Sequence, residues 1–196
     1  LKFAPCVNPY DIVRLPGFEF GISHPEAAYR EALRERFPAA HAAIDGWFAA
    51  CESARASAFT VFALHSMPSW LGWGLRQWRG AQMEHWTRRS VADELARIDD
   101  PLLRAVLGAR WADHGAPPAQ APFAEHALVL GSFDAGAYFP IGGPARFAQT
   151  LVPTIEAAGG ELRLACDVVR ILTGSGRVTG VEYLHDGQHC SEPAQQ

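Results

Sequence analysis

Seven residues near the carboxyl end, Gly174–Gly180 with the sequence GSGRVTG, restrict the fold of this chain more than any other stretch. The pattern G-x-G-x-x-x-G approaches the fingerprint of a dinucleotide-binding turn, which needs a strand before it and a helix directly after it. β-prone residues precede Gly174, but the residues that follow, RVTGVEYL, predict a strand, and Asp186-Gly187 predicts a second turn. Without a helix N-terminus there are no aligned amides for a phosphate, so we interpret these glycines as a hairpin turn.

The first part of the chain begins with a predicted β-hairpin over Tyr10–Ile22 that turns at Pro16-Gly17. Ser23 and Glu26 have the spacing of a capping box, which predicts the start of the first helix. Apolar residues then recur every four positions and predict one buried stripe, formed by Tyr29, Leu33 and Phe37.

More helices follow, so that residues 23–133 are predicted to be mainly helical. Pro38 interrupts the first helix, and a longer alanine-rich helix runs to about His65. Ser90 and Asp100 each precede a helical pattern and are predicted N-caps, which also explains the Asp99-Asp100 pair without acid–base chemistry. The sequence offers no side chain that stands out as a catalytic acid, base or nucleophile.

From Gly136 onward, the predicted elements change from mainly helices to a turn, one helix and several β-prone runs. A Gly-Gly turn leads to a helix that Pro144 opens and Gly159-Gly160 ends. One face of this helix is predicted to be buried through Phe147, Leu151 and Ile155, with a kink near Gln149 caused by Pro153. Three β-prone runs come next: ELRLAC, VVRIL and RVTGVEYL. The fold class predicted from these patterns is mixed α+β.

Charge and cysteine usage exclude several kinds of function. The net charge of −4 comes from interspersed signs, so we expect no nucleic-acid partner. The four cysteines are far apart and form no C-x-x-C, which favours a reducing compartment, the cytoplasm, over a disulfide scaffold. On one strand, His185 and His189 would share a face and Cys190 would point away, so we expect no metal site there.

A cluster of tryptophans interleaved with arginines lies between the two halves of the helical region, at Trp70, Trp73, Trp78 and Trp86. Tryptophan and arginine are residues that lie at a lipid–water interface. The cluster therefore favours either peripheral docking to a membrane or ordinary packing against helices. No apolar run in the sequence is long enough to span a bilayer.

One long stretch, Gly136–Val181, carries several spaced elements in a fixed order. They are Phe139-Pro140-Ile141-Gly142-Gly143, Gly159-Gly160, Val168–Ile171 and Gly176–Val181. This order resembles the phytoene desaturase, carotenoid isomerase and retinol saturase group of FAD-dependent oxidoreductases. YREALRERFPAAHAAIDGWF and RWADHGAPPAQAPFAEHAL also look like the retinol saturase branch.

The resemblance implies a helical substrate domain, residues 1–135, and part of an FAD-binding domain, residues 136–196, with a helix, a strand and a β-meander. It implies an apolar polyene or isoprenoid substrate that is desaturated, saturated or isomerised, and it leaves open a role for NAD(P). It places the backbone of Val168 against the adenine of FAD, and Gly142 and Gly143 near the cofactor. It also implies substrate contacts at Tyr138, Phe139 and Pro140.

The chain departs from that family in one large respect: a strand, G-x-G-x-x-G and helix are absent from its sequence. Leu1 is not a methionine, and together these features lead us to expect an internal piece of a longer enzyme, without tight FAD binding or turnover of its own. Two alternatives stay open. One is a non-catalytic module that binds an apolar ligand or a membrane surface, and the other is an amine-oxidase-like flavoenzyme.

Overall fold

The computed structural model of the chain describes residues 1–65, 67–68, 73, 80 and 84–194. Helices within these ranges are α1 (Glu26–Arg36), α2 (His41–His65), α3 (Val91–Leu95), α4 (Pro101–Gly108), α5 (Trp111–His114), α6 (Phe123–Ser132) and α7 (Ala145–Ala157). Strands are β1 (Phe3–Pro5), β2 (Asp11–Leu15), β3 (Phe18–Ile22), β4 (Tyr138–Pro140), β5 (Cys166–Gly174), β6 (Arg177–His185) and β7 (Gln188–Pro193). The mixed α+β class is therefore confirmed.

The chain divides into two compact units. Residues 4–139 form one, called here the helical unit, and residues 1–3 with 140–196 form the other, called the meander unit. The predicted boundary lay four residues earlier, between 135 and 136, and the functional meaning given to each domain stays a prediction.

The core of the helical unit includes the apolar stripe that the periodicity of the first helix predicts. Tyr29, Leu33 and Phe37 are all buried, so the stripe on α1 is confirmed. The predicted hairpin forms, with β2 antiparallel to β3, and β3 buries Phe18, Phe20 and Ile22. Full burial of each large apolar side chain contributes about 1.5–3 kcal/mol to folding.

The start of α1 differs from the capping-box prediction. The helix begins at Glu26, with Pro25 at the N-cap position and no cap from the side chain of Ser23. The Glu26 amide instead donates to the carboxylate of Asp134, at 2.8 Å. A local pattern could not reveal this cap, because its acceptor lies 108 residues further along the chain.

Two other predicted caps are confirmed. Ser90 and Asp93 form a reciprocal capping box at the start of α3. The Asp100 carboxylate accepts from the amides of Leu102 and Leu103 at 2.8 and 3.0 Å, at the start of α4. Asp100 therefore stabilises a helix end, as its place before Pro101 indicates.

The sheet of the meander unit has the order β5-β6-β7, and all its pairs are antiparallel. Ser175 and Gly176 connect β5 to β6 with φ of +50° and +76°, and Asp186 and Gly187 connect β6 to β7 with the same pair of values. Both turns have φ above zero at their two central residues, as two-residue hairpins require. The hairpin interpretation of Gly174–Gly180 is confirmed.

Two predictions for the meander unit are wrong. The run Glu161–Ala165 is not a strand, because β5 begins only at Cys166. The apolar stripe on α7 is not buried: Phe147, Leu151 and Ile155 expose 42, 55 and 44% of their surface. The periodicity of the stripe is real, but no described element packs over it closely enough to bury it.

Candidate functional site

The Gly-Gly turn that the sequence singles out forms as expected. Gly142 and Gly143 have φ of +90° and +83°, a region that side-chain-bearing residues rarely adopt. The Gly143 amide donates to the carbonyl of Pro140 at 3.0 Å, which closes the turn. The turn then leads directly into α7, whose N-cap is Pro144.

The three residues predicted to contact substrate belong to β4. Tyr138 and Phe139 expose 58 and 55% of their surface, whereas Pro140 is buried. The Tyr138 hydroxyl donates to the carbonyl of Ala135 at 3.2 Å, which restrains the ring. Consecutive residues of a strand point to opposite faces, so the two exposed rings lie on different faces of β4, and Pro140 has a structural place in the turn.

Val168, the predicted adenine contact, lies on β5, an outer strand of the described sheet, and lines a cleft of about 320 Å³. The pairing register shifts between Val168 and Arg170, so that Val169 has no partner in the ladder. Such a bulge re-aims the neighbouring side chains and frees backbone groups at the edge of a sheet. Gly142 and Gly143 are not among the residues that line this cleft.

Charged and aromatic residues that the sequence did not single out form the rest of the cleft. Arg163 donates to Tyr183 at 2.9 Å and to Glu192 at 2.7 Å, and it also pairs with Glu161. The hydrogen bond from Arg163 to Glu161, together with the charge of Arg163, holds the pKa of Glu161 below its ordinary value. In the sequence, the only pattern that indicated these cleft residues is the E-x-R spacing of Glu161 and Arg163 ahead of β5.

The cleft suits the adenosine end of a dinucleotide better than its phosphates. Val168 and Val181 offer apolar walls, Tyr183 offers a ring, and the outer strand offers backbone donors and acceptors. The guanidinium of Arg163 is already neutralised by two carboxylates, Glu161 and Glu192. The Gly142-Gly143 turn leads into a helix but does not line this cleft. Among the described residues, no strand, G-x-G-x-x-G turn and helix follow one another to hold a pyrophosphate.

The tryptophan cluster is only partly described. Trp86 is buried, packs against Phe123 in a tilted arrangement with 5.5 Å between ring centroids, and donates to the hydroxyl of Ser53 at 3.0 Å. It therefore belongs to the core and not to a docking surface. Trp73 exposes 68% of its surface, and Trp70 and Trp78 lie outside the described residues.

The histidine and cysteine residues at the end of the chain are arranged differently from the single strand assumed above. His185 ends β6, and His189 and Cys190 lie on β7 beyond the Asp186-Gly187 turn. The Nδ1 of His185 is 3.6 Å from the Sγ of Cys166. Within the described residues, no group of three or more His, Cys, Asp or Glu side chains is arranged to hold a metal ion.

A buried histidine pair lies in the helical unit. His126 is fully buried on α6, with its Nδ1 3.1 Å from the Nε2 of His114 on α5. Desolvation, with a smaller contribution from His114, lowers the pKa of His126 to about 4. His126 also packs edge-on against Trp47, so it is a neutral core residue at pH 7.

No helix of the described residues has both the length and the apolar character needed to cross a membrane.

Comparison with known proteins gives one consistent name. Proteins named all-trans-retinol 13,14-reductase from Danio rerio, Rattus norvegicus and Homo sapiens are 29, 28 and 28% identical to the chain. The matches cover 90–92% of this chain and 31% of each relative. The chain thus spans about a third of the length of these relatives. No protein-family model matches it.

These relatives are reductases whose name refers to a retinoid. They support the likeness to the retinol saturase branch that the sequence indicates. The broader likeness to phytoene desaturases and carotenoid isomerases stays a prediction.

Proposed function

We propose that this chain is part of an FAD-dependent oxidoreductase that acts on an apolar polyene of the retinoid type. The observation that carries the proposal is the similarity over nine tenths of the chain to proteins named all-trans-retinol 13,14-reductase. The relatives are about three times longer, so the activity belongs to a larger protein than these 196 residues.

The FAD part of the proposal rests on the cleft beside β5. Val168 and its neighbours would hold the adenosine end of the cofactor, and the pyrophosphate would be held by residues outside this chain. FAD, when bound, supplies the hydride chemistry, and the protein supplies orientation and a dry site. A reduction also consumes electrons, for which NAD(P)H is the donor that the sequence leaves open.

The substrate part of the proposal rests on β4. Tyr138 and Phe139 present exposed rings on opposite faces of β4, and a flat ring of this kind packs well against a conjugated chain. Gly142 and Gly143 allow the backbone to turn there without a Cβ atom on either residue. Of these residues only Tyr138 carries a group that can exchange a proton, and we assign the redox chemistry to the cofactor.

The proposal is tested by turnover of all-trans-retinol. The whole translated protein that contains these residues is supplied with FAD and a reductant under nitrogen, and the products are analysed by mass spectrometry. We expect a product two hydrogens heavier than retinol, with a shorter conjugated system. Unchanged retinol from a folded protein with bound flavin would contradict the retinoid assignment, and a change of double-bond geometry without a mass change would favour isomerisation.

A further inference from the structure

The helical unit contains a groove between α2 and α6 that the proposed function does not use. It consists of two adjoining hollows, of about 290 and 470 Å³, and Leu128 of α6 lines both. Ala58, Phe62 and Trp86 line the smaller hollow, and Arg55 and Phe59 line the larger one. We call this feature the α2–α6 groove.

The spacing of residues on α2 explains the shape of the groove. Arg55, Phe59 and Phe62 follow one another at four and three positions, so they lie along one face of the helix. Phe59 and Phe62 expose 63 and 62% of their surface, which is unusual for phenylalanine on a helix of the core. Large exposed rings beside a hollow are typical of a site for an apolar ligand.

Ser57 gives the smaller hollow a buried polar group that is uncommitted. This side chain lines the smaller hollow and is 4% exposed, yet its hydroxyl has no hydrogen-bond partner among the described residues. Two other donors at this hollow are already bonded: the indole N–H of Trp86 to Ser53, and the hydroxyl of Thr87 to the carbonyl of Glu84. A buried hydroxyl without a partner is unfavourable, so a ligand that supplies one hydroxyl or carbonyl group would satisfy it.

The guanidinium that lines the larger hollow is already paired, and the carboxylates of Asp134 and Glu125 also line the groove. The Arg55 guanidinium pairs with the Glu26 carboxylate at 3.0 Å, and both side chains are largely buried. A Cβ atom on Gly131 of α6 would lie 2.8 Å from the Cδ of Arg55, so the glycine makes room for this pair. With Arg55 committed to Glu26, the groove favours a neutral ligand over a carboxylate.

We propose that the α2–α6 groove binds a neutral, elongated apolar molecule with one hydroxyl or carbonyl group. The polar group bonds to Ser57, and the apolar part lies along Phe62, Leu128 and Phe59. The position of the groove and the class of ligand are inferred from the lining residues, their exposure and their hydrogen bonds. Only the choice of a retinoid alcohol as that ligand rests on the proposed function.

The experiment is a binding titration of the 196-residue chain with all-trans-retinol, followed by the fluorescence of the bound retinol, and with farnesol, followed by calorimetry. Ala58→Phe fills the smaller hollow and is expected to weaken binding of both alcohols more than tenfold. Phe62→Ser removes an exposed wall and is expected to weaken it several-fold without a folding cost. Ala56→Phe adds the same ring at an exposed position of α2 and is the matched control.

Ser57→Ala tests the polar contact. It is expected to weaken retinol binding about five- to tenfold and to leave unchanged the binding of the corresponding hydrocarbon, which has no hydroxyl. Circular dichroism of each variant checks that it folds.

The outcomes separate this inference from the proposed function. Retinol binding that neither Ala58→Phe nor Phe62→Ser weakens would place the ligand elsewhere and overturn the groove site, while the retinoid function would stand. Farnesol binding that depends on Ala58 and Phe62, without any retinol binding, would support the groove and count against the retinoid function. No binding of either alcohol would overturn the groove site.

Discussion

At the scale of single residues, the Gly-Gly turn shows how closely a motif can be tied to backbone conformation. Gly142 and Gly143 both have φ near +90°, and the amide of the second closes the turn on Pro140. A Cβ atom on Gly142 would lie 3.1 Å from the side chain of Arg146, whereas one on Gly143 would meet nothing within 4 Å. For Gly143 the requirement is therefore conformational and not steric.

Replacing either glycine by alanine tests that requirement. Gly142→Ala and Gly143→Ala are each expected to lower the free energy of unfolding by about 1–2 kcal/mol, because alanine is strained at positive φ. Gly46→Ala, within α2 and with nothing near its Cβ, is the control and should stabilise by about 0.5–1 kcal/mol. Urea denaturation followed by circular dichroism measures all three, and equal effects would contradict the account.

The buried His126 leads us to expect that the stability of the protein depends on pH. Its folded-state pKa of about 4 lies below the ordinary 6.5, so the unfolded chain takes up the proton first as the pH falls. Stability is therefore expected to decrease between pH 6.5 and pH 4, by up to about 3 kcal/mol.

Tryptophan fluorescence in urea at several pH values measures this slope in the helical unit, where all the tryptophans lie. His126→Gln should flatten the slope in that window, whatever its effect on absolute stability. His41→Gln, at an exposed position, should keep it. A slope that survives in His126→Gln would assign the pH dependence to other groups.

At the scale of helices and strands, short sequence patterns correctly predicted the features that depend on contacts between neighbouring residues. The hairpin β2–β3, the two turns of the meander and the caps Ser90 and Asp100 depend on neighbouring residues, and all were correctly predicted. The cap of α1 and the environment of α7 depend on distant ones, and both were wrong. Asp134 reaches the first amide of α1 from far along the chain, so no window around Ser23 could reveal it.

The candidate site follows the same rule. The turn at Gly142-Gly143 and the position of Val168 on a strand could be predicted from motif order. The partners of Val168 in its cleft, Arg163 and Tyr183, are brought there by the path before β5 and by the β5–β6 register. The α2–α6 groove was missed because Phe59 and Phe62 fit an ordinary core helix when only the sequence is considered.

The two possible caps of α1 can be separated by substitution. Asp134→Ala is expected to lower the free energy of unfolding by about 1 kcal/mol, because the Glu26 amide loses its acceptor. Ser23→Ala, which removes the side chain of the capping-box pattern, should change it by less than about 0.5 kcal/mol. The reverse order in urea denaturation would restore the capping box as the start of the helix.

At the scale of the whole molecule, the apolar surface of the meander unit and the partial coverage of the relatives agree. The stripe on α7 is exposed, and the chain spans about a third of each relative. Both observations are expected if, as proposed above, these residues are part of a longer protein. The exposed Trp73 adds a surface that a membrane could use.

Membrane docking is tested at that tryptophan. If the tryptophan cluster contacts lipid, Trp73→Ser should reduce co-sedimentation with phospholipid vesicles several-fold, because an interfacial indole is lost. Trp111→Ser, which changes a half-exposed tryptophan on α5, is the matched control and should bind as before. Equal binding of the two variants and the unaltered protein would leave packing as the role of the cluster.

The measurement that tests the central proposal most directly is the absorption spectrum of the whole translated protein after purification and gel filtration. We predict one tightly bound FAD per chain, released on denaturation and identified by its mass, with a spectrum that bleaches under reductant. A well-folded protein that retains no flavin, even after incubation with excess FAD, would contradict the proposal that Val168 and its cleft belong to a flavoenzyme.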